Sequence, residues 1–115
     1  MAIVIDDDID WGETVAEKLR MLGFNVKVCL TFCDQPEATV FLVDAQDKGI
    51  VVGPGFVMSL RANHPDAIII GMSSKLDFIQ ASMTQTVREQ FLAAGANYAV
   101  STENVTTTLK SLFSQ

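Results

Sequence analysis

Acidic side chains follow two apolar runs of the chain at the points where buried strands would end. Asp6, Asp7 and Asp8 come directly after the run AIVI, and Asp44 comes directly after the run VFLV. Converging carboxylates repel one another unless a cation lies between them, and hard oxygen ligands of this kind suit Mg²⁺. If the two runs form neighbouring strands, Asp6, Asp7 and Asp44 therefore predict a magnesium site.

Other polar residues stand close to this set in the sequence. A third apolar run, IIIGM, ends in the hydroxyls of Ser73 and Ser74. Asp8 and Asp10 have a simpler interpretation than metal binding, because they stand where a helix would begin. An Asp at that position caps the first N–H groups and favours the positive end of the helix dipole, and we predict that role for both.

The order of the hydrophobic runs predicts the architecture. Runs rich in β-branched and aromatic residues predict strands at 2–5, 25–30, 38–43, 66–72 and 97–101. Four of them are nearly continuous rather than alternating, which is typical of strands that are covered on both faces. Segments with helical spacing lie at 11–24, 55–65, 86–95 and 103–115. This alternation predicts an α/β fold with a doubly wound, five-stranded parallel sheet, in which ligands bind at the carboxyl ends of the strands.

The link between the second and third predicted strands is too short for an ordinary crossover. It reads TFCDQPEA and contains a proline, whereas a crossover with a helix takes a dozen residues or more. We therefore expect the second helix to be shortened or absent there. Cys29 and Cys33, on either side of its start, are too few for a disulfide scaffold or a zinc site, and we expect partly buried, reduced thiols.

Length and charge exclude several classes of function. A chain of 115 residues with 49% hydrophobic content can close one core, so we expect a single domain spanning 1–115. The net charge is −6, the pI is about 4.5 and only eight residues are Lys or Arg, which argues against direct binding of nucleic acid. With no signal-peptide pattern and no apolar run of bilayer length, we expect a cytoplasmic protein that does not contact membranes.

The sequence also predicts where the tryptophan, the histidine and three of the methionines lie. Trp11 is predicted to pack at the start of the first helix, with a position near the acidic site as the alternative. His64, which precedes a proline, is predicted to be a surface or helix-end residue. Met58, Met72 and Met83 are predicted to fill gaps in the core, as methionine often does.

In their order and placement these segments resemble the receiver domains of two-component response regulators, the CheY-like family, whose fold is a flavodoxin-like three-layer sandwich. The resemblance spans nearly the whole chain and rests on four stretches. They are IVIDDDIDWGETVAEKLRMLGFNV for the first strand, acidic pair and first helix, VFLVDAQ for the strand that ends in the phosphoacceptor, PGFVMSLRANHPDAIIIGMSS for the third helix and fourth strand, and FLAAGANYAVS for the run into the fifth strand.

The resemblance implies a role for each matching residue. Asp44 would accept a phosphoryl group from a histidine kinase or phosphotransfer protein, and Ser73 would bind a phosphoryl oxygen and act as the switch hydroxyl. Tyr98 and Ser101 would belong to the switch at the fifth strand. The Mg²⁺ ligands implied by the resemblance are Asp6 through water, Asp7, Asp44 and the backbone carbonyl of Gln46.

The end of the fifth strand departs from the family, which places a lysine there beside the phosphoryl group. Alignment on Tyr98 puts Ser101 at that position, and alignment on Gly95 puts Thr102 there. Neither residue is a cation, so neither can give the charge-assisted hydrogen bond of a lysine. Lys75 and Lys48 are the candidates to replace it.

The loop after Asp44 departs as well. It reads DAQDKGIVVGPGF and is longer and more apolar than is usual in the family. Its apolar residues would be costly in water, so we expect Ile50, Val51 and Val52 either to pack beneath the shortened second-helix segment or to mark a partner surface.

Three functions remain open at this point. The first is a phosphoacceptor receiver that signals through contact with a downstream protein, with no catalysis beyond self-dephosphorylation. The second is a degenerate receiver that acts as a protein-interaction module independent of phosphorylation. The third is a small hydrolase of the haloacid-dehalogenase type, in which Asp6 would be the nucleophile and Asp8 the general acid, because VIDDD also contains the Asp-x-Asp of that family. We rank them in that order.

Overall fold

The structure is a computed structural model of the chain, and it describes residues 1–47, 49–79 and 83–114. The elements follow one another as β1 (Ala2–Ile5), α1 (Ile9–Met21), β2 (Val26–Cys29), β3 (Val40–Asp44), β4 (Gln46–Asp47), β5 (Ile50–Val51), α2 (Gly53–Asn63), β6 (Ile68–Ser73), α3 (Val87–Ala94), β7 (Tyr98–Ser101), a 3₁₀ turn (Thr102–Asn104) and α4 (Val105–Phe113). Among these residues, no helix is long and apolar enough to cross a bilayer.

Five of the strands form one parallel sheet in the order β2-β1-β3-β6-β7. The predicted doubly wound α/β fold is therefore confirmed. Ile5 pairs with Val43, and Asp44 pairs with Met72. These registers bring the carboxyl ends of β1, β3 and β6 to the same edge of the sheet.

Helices cover both faces of the sheet, which explains why its central strands are apolar without alternation. Successive side chains of a strand point to opposite faces, so Ile3 and Phe41 join the core under α2 and α3. Val4 and Leu42 join a second core under α1 and α4. All four residues of β1 are buried as a result.

The residues at the ends of α1 and α3 are of types that favour the start or the end of a helix. Asp8 is the N-cap of α1, and its side chain accepts a hydrogen bond from the Trp11 N–H at 3.1 Å, as predicted. The turn after α1 contains Gly23 with a φ of +98°. Helix α3 starts with a capping box between Thr86 and Glu89 and ends at Gly95, whose φ is +115°.

Residues 30–39, all of them described, contain no helix, so the prediction of a shortened or absent second helix is confirmed. Asp34 joins this segment to the end of α2 instead. His64 Nε2 lies 2.5 Å from Asp34 Oδ1, and Asn63 Nδ2 donates to Asp34 Oδ2 at 2.8 Å. His64 caps α2 as expected, but its side chain is only 10% exposed and its ring packs on Phe41. The prediction of a surface or helix-end residue is therefore confirmed for His64 by its place at the end of α2.

The prediction for the methionines is correct at one position and wrong at two. Met72 is fully buried in β6, whereas Met58 and Met83 are exposed. Helix α2 buries a narrow stripe that contains Val57 and Leu60. Met58 follows Val57 directly and is therefore about 100° further round the helix, on its outer side.

Helix α2 begins in direct contact with the carboxyl end of β3. The Gly53 N–H donates to the Ala45 carbonyl at 3.0 Å. A Cβ at Gly53 would lie 2.5 Å from the backbone oxygen of Asp44 and 2.9 Å from the Cα of Ala45. Since both of those atoms belong to the backbone, only glycine allows the helix to start this close to Asp44.

A pair of glycine variants tests this contact. Gly53→Ala is expected to lower the free energy of unfolding by about 1–3 kcal/mol, because the added methyl group overpacks the end of β3. Gly55→Ala in the same helix is the control, since a Cβ there meets nothing within 4 Å. That substitution should raise stability by about 0.5–1 kcal/mol through helix propensity. Urea denaturation measures both, and stabilisation by Gly53→Ala would contradict the close approach.

Candidate functional site

Three carboxylates meet at the carboxyl edge of the sheet. Asp6 follows β1, Asp7 follows Asp6, and Asp44 is the last residue of the neighbouring strand β3. One carboxylate oxygen from each lies within 4.8 Å of the other two. The structure thus brings together the three acidic residues that the sequence proposed as metal ligands.

The same local hydrogen bond orients a side chain at each of three neighbouring strand ends. Asp6 Oδ1 accepts from the backbone N–H of Asp8 at 2.9 Å, and Asp44 Oδ2 accepts from that of Gln46 at 3.3 Å. Ser73 Oγ accepts from the backbone N–H of Lys75 at 2.9 Å. Each bond joins a side chain to the N–H two residues further on, which is the Asx or Ser/Thr turn. Short-range hydrogen bonding therefore positions both carboxylates and the hydroxyl.

Asp6 is the most deeply placed of the acidic residues. Its side chain is 2% exposed, and its Oδ2 is buried with no hydrogen-bond partner among the described residues. Leaving a buried carboxylate oxygen without a partner is costly. A cation or a proton at this oxygen would remove that cost.

Burial and like charge raise the pKa of two carboxyl groups in the site. Desolvation is the largest cause at Asp44 and acts with the charges of Asp6 and Asp7 to raise its pKa to about 7, against the opposing N–H of Gln46. At Asp6, desolvation again leads, the N–H of Asp8 opposes it, and the pKa is about 6. Both groups therefore bind protons more strongly than ordinary aspartates.

A polar cavity of about 310 Å³ opens beside the carboxylates. The cavity is lined by residues from the strand ends, the start of α1 and the loop after Asp44, namely Asp6, Asp7, Asp8, Trp11, Asp44, Ala45, Gln46, Gly49, Ser73, Ser74 and Thr102. Ser73 is buried, and its O–H can donate to an oxygen atom bound in the cavity. The proposed acceptor, metal ligands and switch hydroxyl thus share one cavity.

The two residues proposed for the switch at the fifth strand lie away from this cavity. Tyr98 and Ser101 line a groove along the edge strand β7, and Ser101 Oγ accepts a hydrogen bond from Asn104 Nδ2 at 2.8 Å. Thr102, at the start of the 3₁₀ turn, lines the acidic cavity instead. The alignment on Gly95 therefore describes the cavity better than the alignment on Tyr98.

Cationic side chains do not line the described part of the cavity. Lys75 Nζ lies over the ring of Phe78, 5.9 Å from its centroid, so its charge is directed at that ring. Lys48, the other candidate to replace the family's lysine, lies outside the described residues. Thr102 lines the cavity but offers only a neutral hydroxyl.

One feature of the site, the conformation of the loop after Asp44, was missed from the sequence. The loop after Asp44 folds back as an antiparallel hairpin of β4 and β5, with Gln46 paired to Val51, and Ile50 is exposed on it. Trp11 was foreseen, since it lies in the first turn of α1 and also lines the cavity, which was its alternative position. Its Nε1 is buried without a partner among the described residues.

Comparisons with known proteins found similarity in structure only. A scan against protein-family models found no match, and a search of curated proteins found none. A response regulator protein from Burkholderia pseudomallei, solved with a phosphorylated aspartic acid, a calcium ion and citrate, matches with a TM-score of 0.72 and 20% identity, over 98% of this chain and 66% of that one. The chemotaxis protein CheY4 of Vibrio cholerae matches at 0.73 and 18%, over 96% and 93% of the two chains. The BeF3-activated DrrB receiver domain matches at 0.74 and 21%, over 99% and 97%.

The chain has the fold of a response regulator receiver domain. Its β2-β1-β3-β6-β7 order and its carboxyl-edge cavity belong to that fold. The fold predicted from the sequence resemblance is thereby confirmed, at identities of 18–21% with these three structures.

The raised pKa values predict how the stability of the metal-free protein depends on pH. A carboxyl group whose pKa is higher in the folded state than in the unfolded state stabilises the fold at low pH, and this stabilisation is lost as pH rises through the folded pKa. With an unfolded pKa of about 3.8 for both groups and folded values of about 6 for Asp6 and about 7 for Asp44, the loss falls between about pH 4 and pH 8. In chelator, the melting temperature should therefore be higher near pH 5.5 than near pH 8.

Asp44→Asn is the matched control for this measurement. It removes one titrating group and the repulsion that Asp44 exerts on its neighbours, and it leaves His64 and the other titratable groups in place. The variant should show a flatter dependence of melting temperature on pH in the same interval. Parallel curves for the wild type and Asp44→Asn would contradict the assignment of the pH dependence to this cluster.

Proposed function

We propose that this chain is a phosphoacceptor receiver domain of two-component signalling, in which Asp44 takes a phosphoryl group from a histidine kinase or a phosphotransfer protein. The observation that carries the proposal is the meeting of Asp6, Asp7 and Asp44 with Ser73 in one cavity of a receiver fold. Output then passes through contact with a downstream protein. We propose that residues 1–115 form this one domain and that it acts in the cytoplasm.

The residues of the cavity fit a divalent cation. The donor set consists of carboxylate oxygens, which suit Mg²⁺. The unpartnered Oδ2 of Asp6 and the raised pKa of Asp44 both mark a site that favours added positive charge. Asp6, Asp7, Asp44 and the backbone carbonyl of Gln46 would hold the ion, and when bound it supplies neutralisation of the phosphoryl oxygens. The Burkholderia pseudomallei neighbour contains a calcium ion and a phosphorylated aspartic acid, which supports this part of the proposal.

The chain's own residues supply the acceptor and its orientation. A carboxylate oxygen of Asp44 forms a bond to phosphorus as the bond from phosphorus to the histidine nitrogen of the donor breaks, and the imidazole leaves. The Gln46 N–H fixes the carboxylate through Oδ2. The Ser73 O–H donates a hydrogen bond to a phosphoryl oxygen. Phosphoryl transfer needs mainly this kind of positioning.

One observation favours the second candidate, a degenerate receiver that binds a partner without phosphorylation. Thr102 places a neutral hydroxyl at the cavity, and Lys75 is directed at Phe78. A phosphoryl group would then lack a charge-assisted hydrogen bond from the described lining residues. The dehalogenase-type hydrolase is less well supported, because its general acid Asp8 is engaged as the N-cap of α1.

Treatment with a small acyl-phosphate donor and Mg²⁺, followed by intact mass measurement, tests the proposal. The wild type should gain one phosphoryl group, and Asp44→Asn should gain none, because the acceptor oxygen is lost. Replacing Mg²⁺ with a chelator should slow the labelling of the wild type. An unlabelled wild type would favour the degenerate receiver, and labelling that persists in Asp44→Asn but is lost in Asp6→Asn would favour the hydrolase.

Substitution at the fifth strand tests the role of the missing cation. Thr102→Lys should place an ammonium group at the cavity and strengthen the coupling between a phosphoryl group and the strand ends by about 1.5–3 kcal/mol, the size of a charge-assisted hydrogen bond. The readout is the change in amide chemical shifts near Ser73 on addition of the phosphodonor.

Ser101→Lys is the matched control, because Ser101 lines the groove along β7 rather than the acidic cavity. Its shift changes should resemble those of the wild type. Equal effects of lysine at both positions, or large shifts already present in the wild type, would show that Thr102 does not occupy the place of the family's lysine.

A further inference from the structure

A groove lies between α1 and α4, the two helices that cover one face of the sheet. Its volume is about 470 Å³, which is within the range of about 300–1,000 Å³ for small-molecule sites. It shares no described lining residue with the acidic cavity, so it is a separate feature of the surface. We call it the α1–α4 groove, and side chains of both helices line it, among them Lys18, Met21, Leu22, Thr106, Thr107 and Lys110.

The α1–α4 groove gathers positive charge on an acidic protein. The chain has a net charge of −6 and eight Lys and Arg residues, and two of those eight, Lys18 and Lys110, line this one groove. No carboxylate is among its described lining residues. Neither lysine forms an ion pair with another described residue, whereas Arg20 on the same helix pairs with Glu13. The local charge of the groove therefore favours an anion.

Apolar side chains share the groove with these charges. Met21 is 72% exposed, and Leu22 is partly buried against the core under α1 and α4. A lysine in the last turn of each helix also interacts favourably with the negative end of the helix dipole, which accounts for the two charges by themselves. It does not account for an exposed methionine in the same groove. Methionine is flexible and adapts its shape to apolar ligands, so the lining suits a ligand that is apolar as well as anionic.

We propose that the α1–α4 groove binds a small amphipathic carboxylate, a molecule in which an apolar chain ends in one carboxylate group. The carboxylate accepts hydrogen bonds from the ammonium groups of Lys18 and Lys110, and charge on both partners strengthens these bonds. The apolar chain covers Met21 and Leu22, and the aliphatic stems of the two lysines extend the apolar wall. This site does not rest on the proposed phosphoacceptor function, because it uses no residue of the acidic cavity.

Titration of the full chain with sodium octanoate, followed by amide chemical shifts, tests the site. The shift changes should saturate and be largest at Met21, Leu22, Thr107 and Lys110. Octanol lacks the charge and octylammonium reverses it, so both should bind more weakly than octanoate. Added salt should weaken the binding of octanoate, because it screens exposed charges. Changes that do not saturate, that spread equally to other exposed apolar residues such as Met58, or that octanol reproduces in full would overturn the proposal.

Substitutions separate the contributions of charge and of apolar surface. Lys18→Gln and Lys110→Gln should each raise the Kd for octanoate about two- to fivefold, the size of an exposed ion pair. Met21→Glu should abolish binding, because it puts a carboxylate where the apolar chain lies. These side chains are exposed, so the fold should persist, and unchanged shifts in the sheet check this. Lys27→Gln, at an exposed lysine of β2 outside the groove, is the matched control and should leave the Kd unchanged. An unchanged Kd in both groove variants, or an equal rise in Lys27→Gln, would overturn the proposal.

Discussion

The burial of Asp6 beside Asp44 is the constraint on which the rest of the structure depends. Two carboxylates that have lost much of their water and lie close together oppose folding when both are charged, as their raised pKa values show. The fold holds them by attaching each to a strand that is covered on both faces. Gly12 lets α1 approach the sheet, since a Cβ there would lie 3.0 Å from Val28 Cγ1 and 3.6 Å from the Cβ of Asp6. Gly53 does the same for α2 beside Asp44. A rigid frame that keeps like charges together is expected where a ligand supplies the compensating charge.

The elements that could be predicted from the sequence are those whose signals are local. The five parallel strands were placed to within about two residues by runs of apolar residues, and α3 was bounded by Thr86 and Gly95, whose capping geometry is a property of a few neighbouring residues. The β4–β5 hairpin could not be predicted in this way, because QDKGIV carries no alternation and its pairing depends on how the chain leaves Asp44. The bond between Asp34 and His64 joins residues thirty positions apart, so no local pattern contains it.

The same distinction between local and long-range signals applies to the residues of the candidate site. Asp6, Asp7, Asp44 and Ser73 could be proposed because strand ends in a parallel sheet share one edge. The choice between Ser101 and Thr102 could not be made, since a shift of one residue moves a side chain to the other face of a strand. In the structure a 3₁₀ turn begins at Thr102, and Thr102 rather than Ser101 lines the acidic cavity. Helix α2 shows the same difficulty for burial, because the exposed Met58 lies next to the buried Val57 and only the position of the helix separates them.

The positive electrostatic contributions in the described part of the cavity come from the backbone. The N–H groups of Asp8, Gln46 and Lys75 each donate to a side chain two residues earlier, at three strand ends that lie side by side. These dipoles are fixed by turns that the local sequence favours, so the carboxylates and the hydroxyl are oriented before any ligand arrives. The dipoles lower the pKa of both carboxyl groups but do not overcome burial. Burial and like charge therefore leave both carboxyl groups with pKa values above that of an ordinary aspartate, although turns that the local sequence favours already orient them.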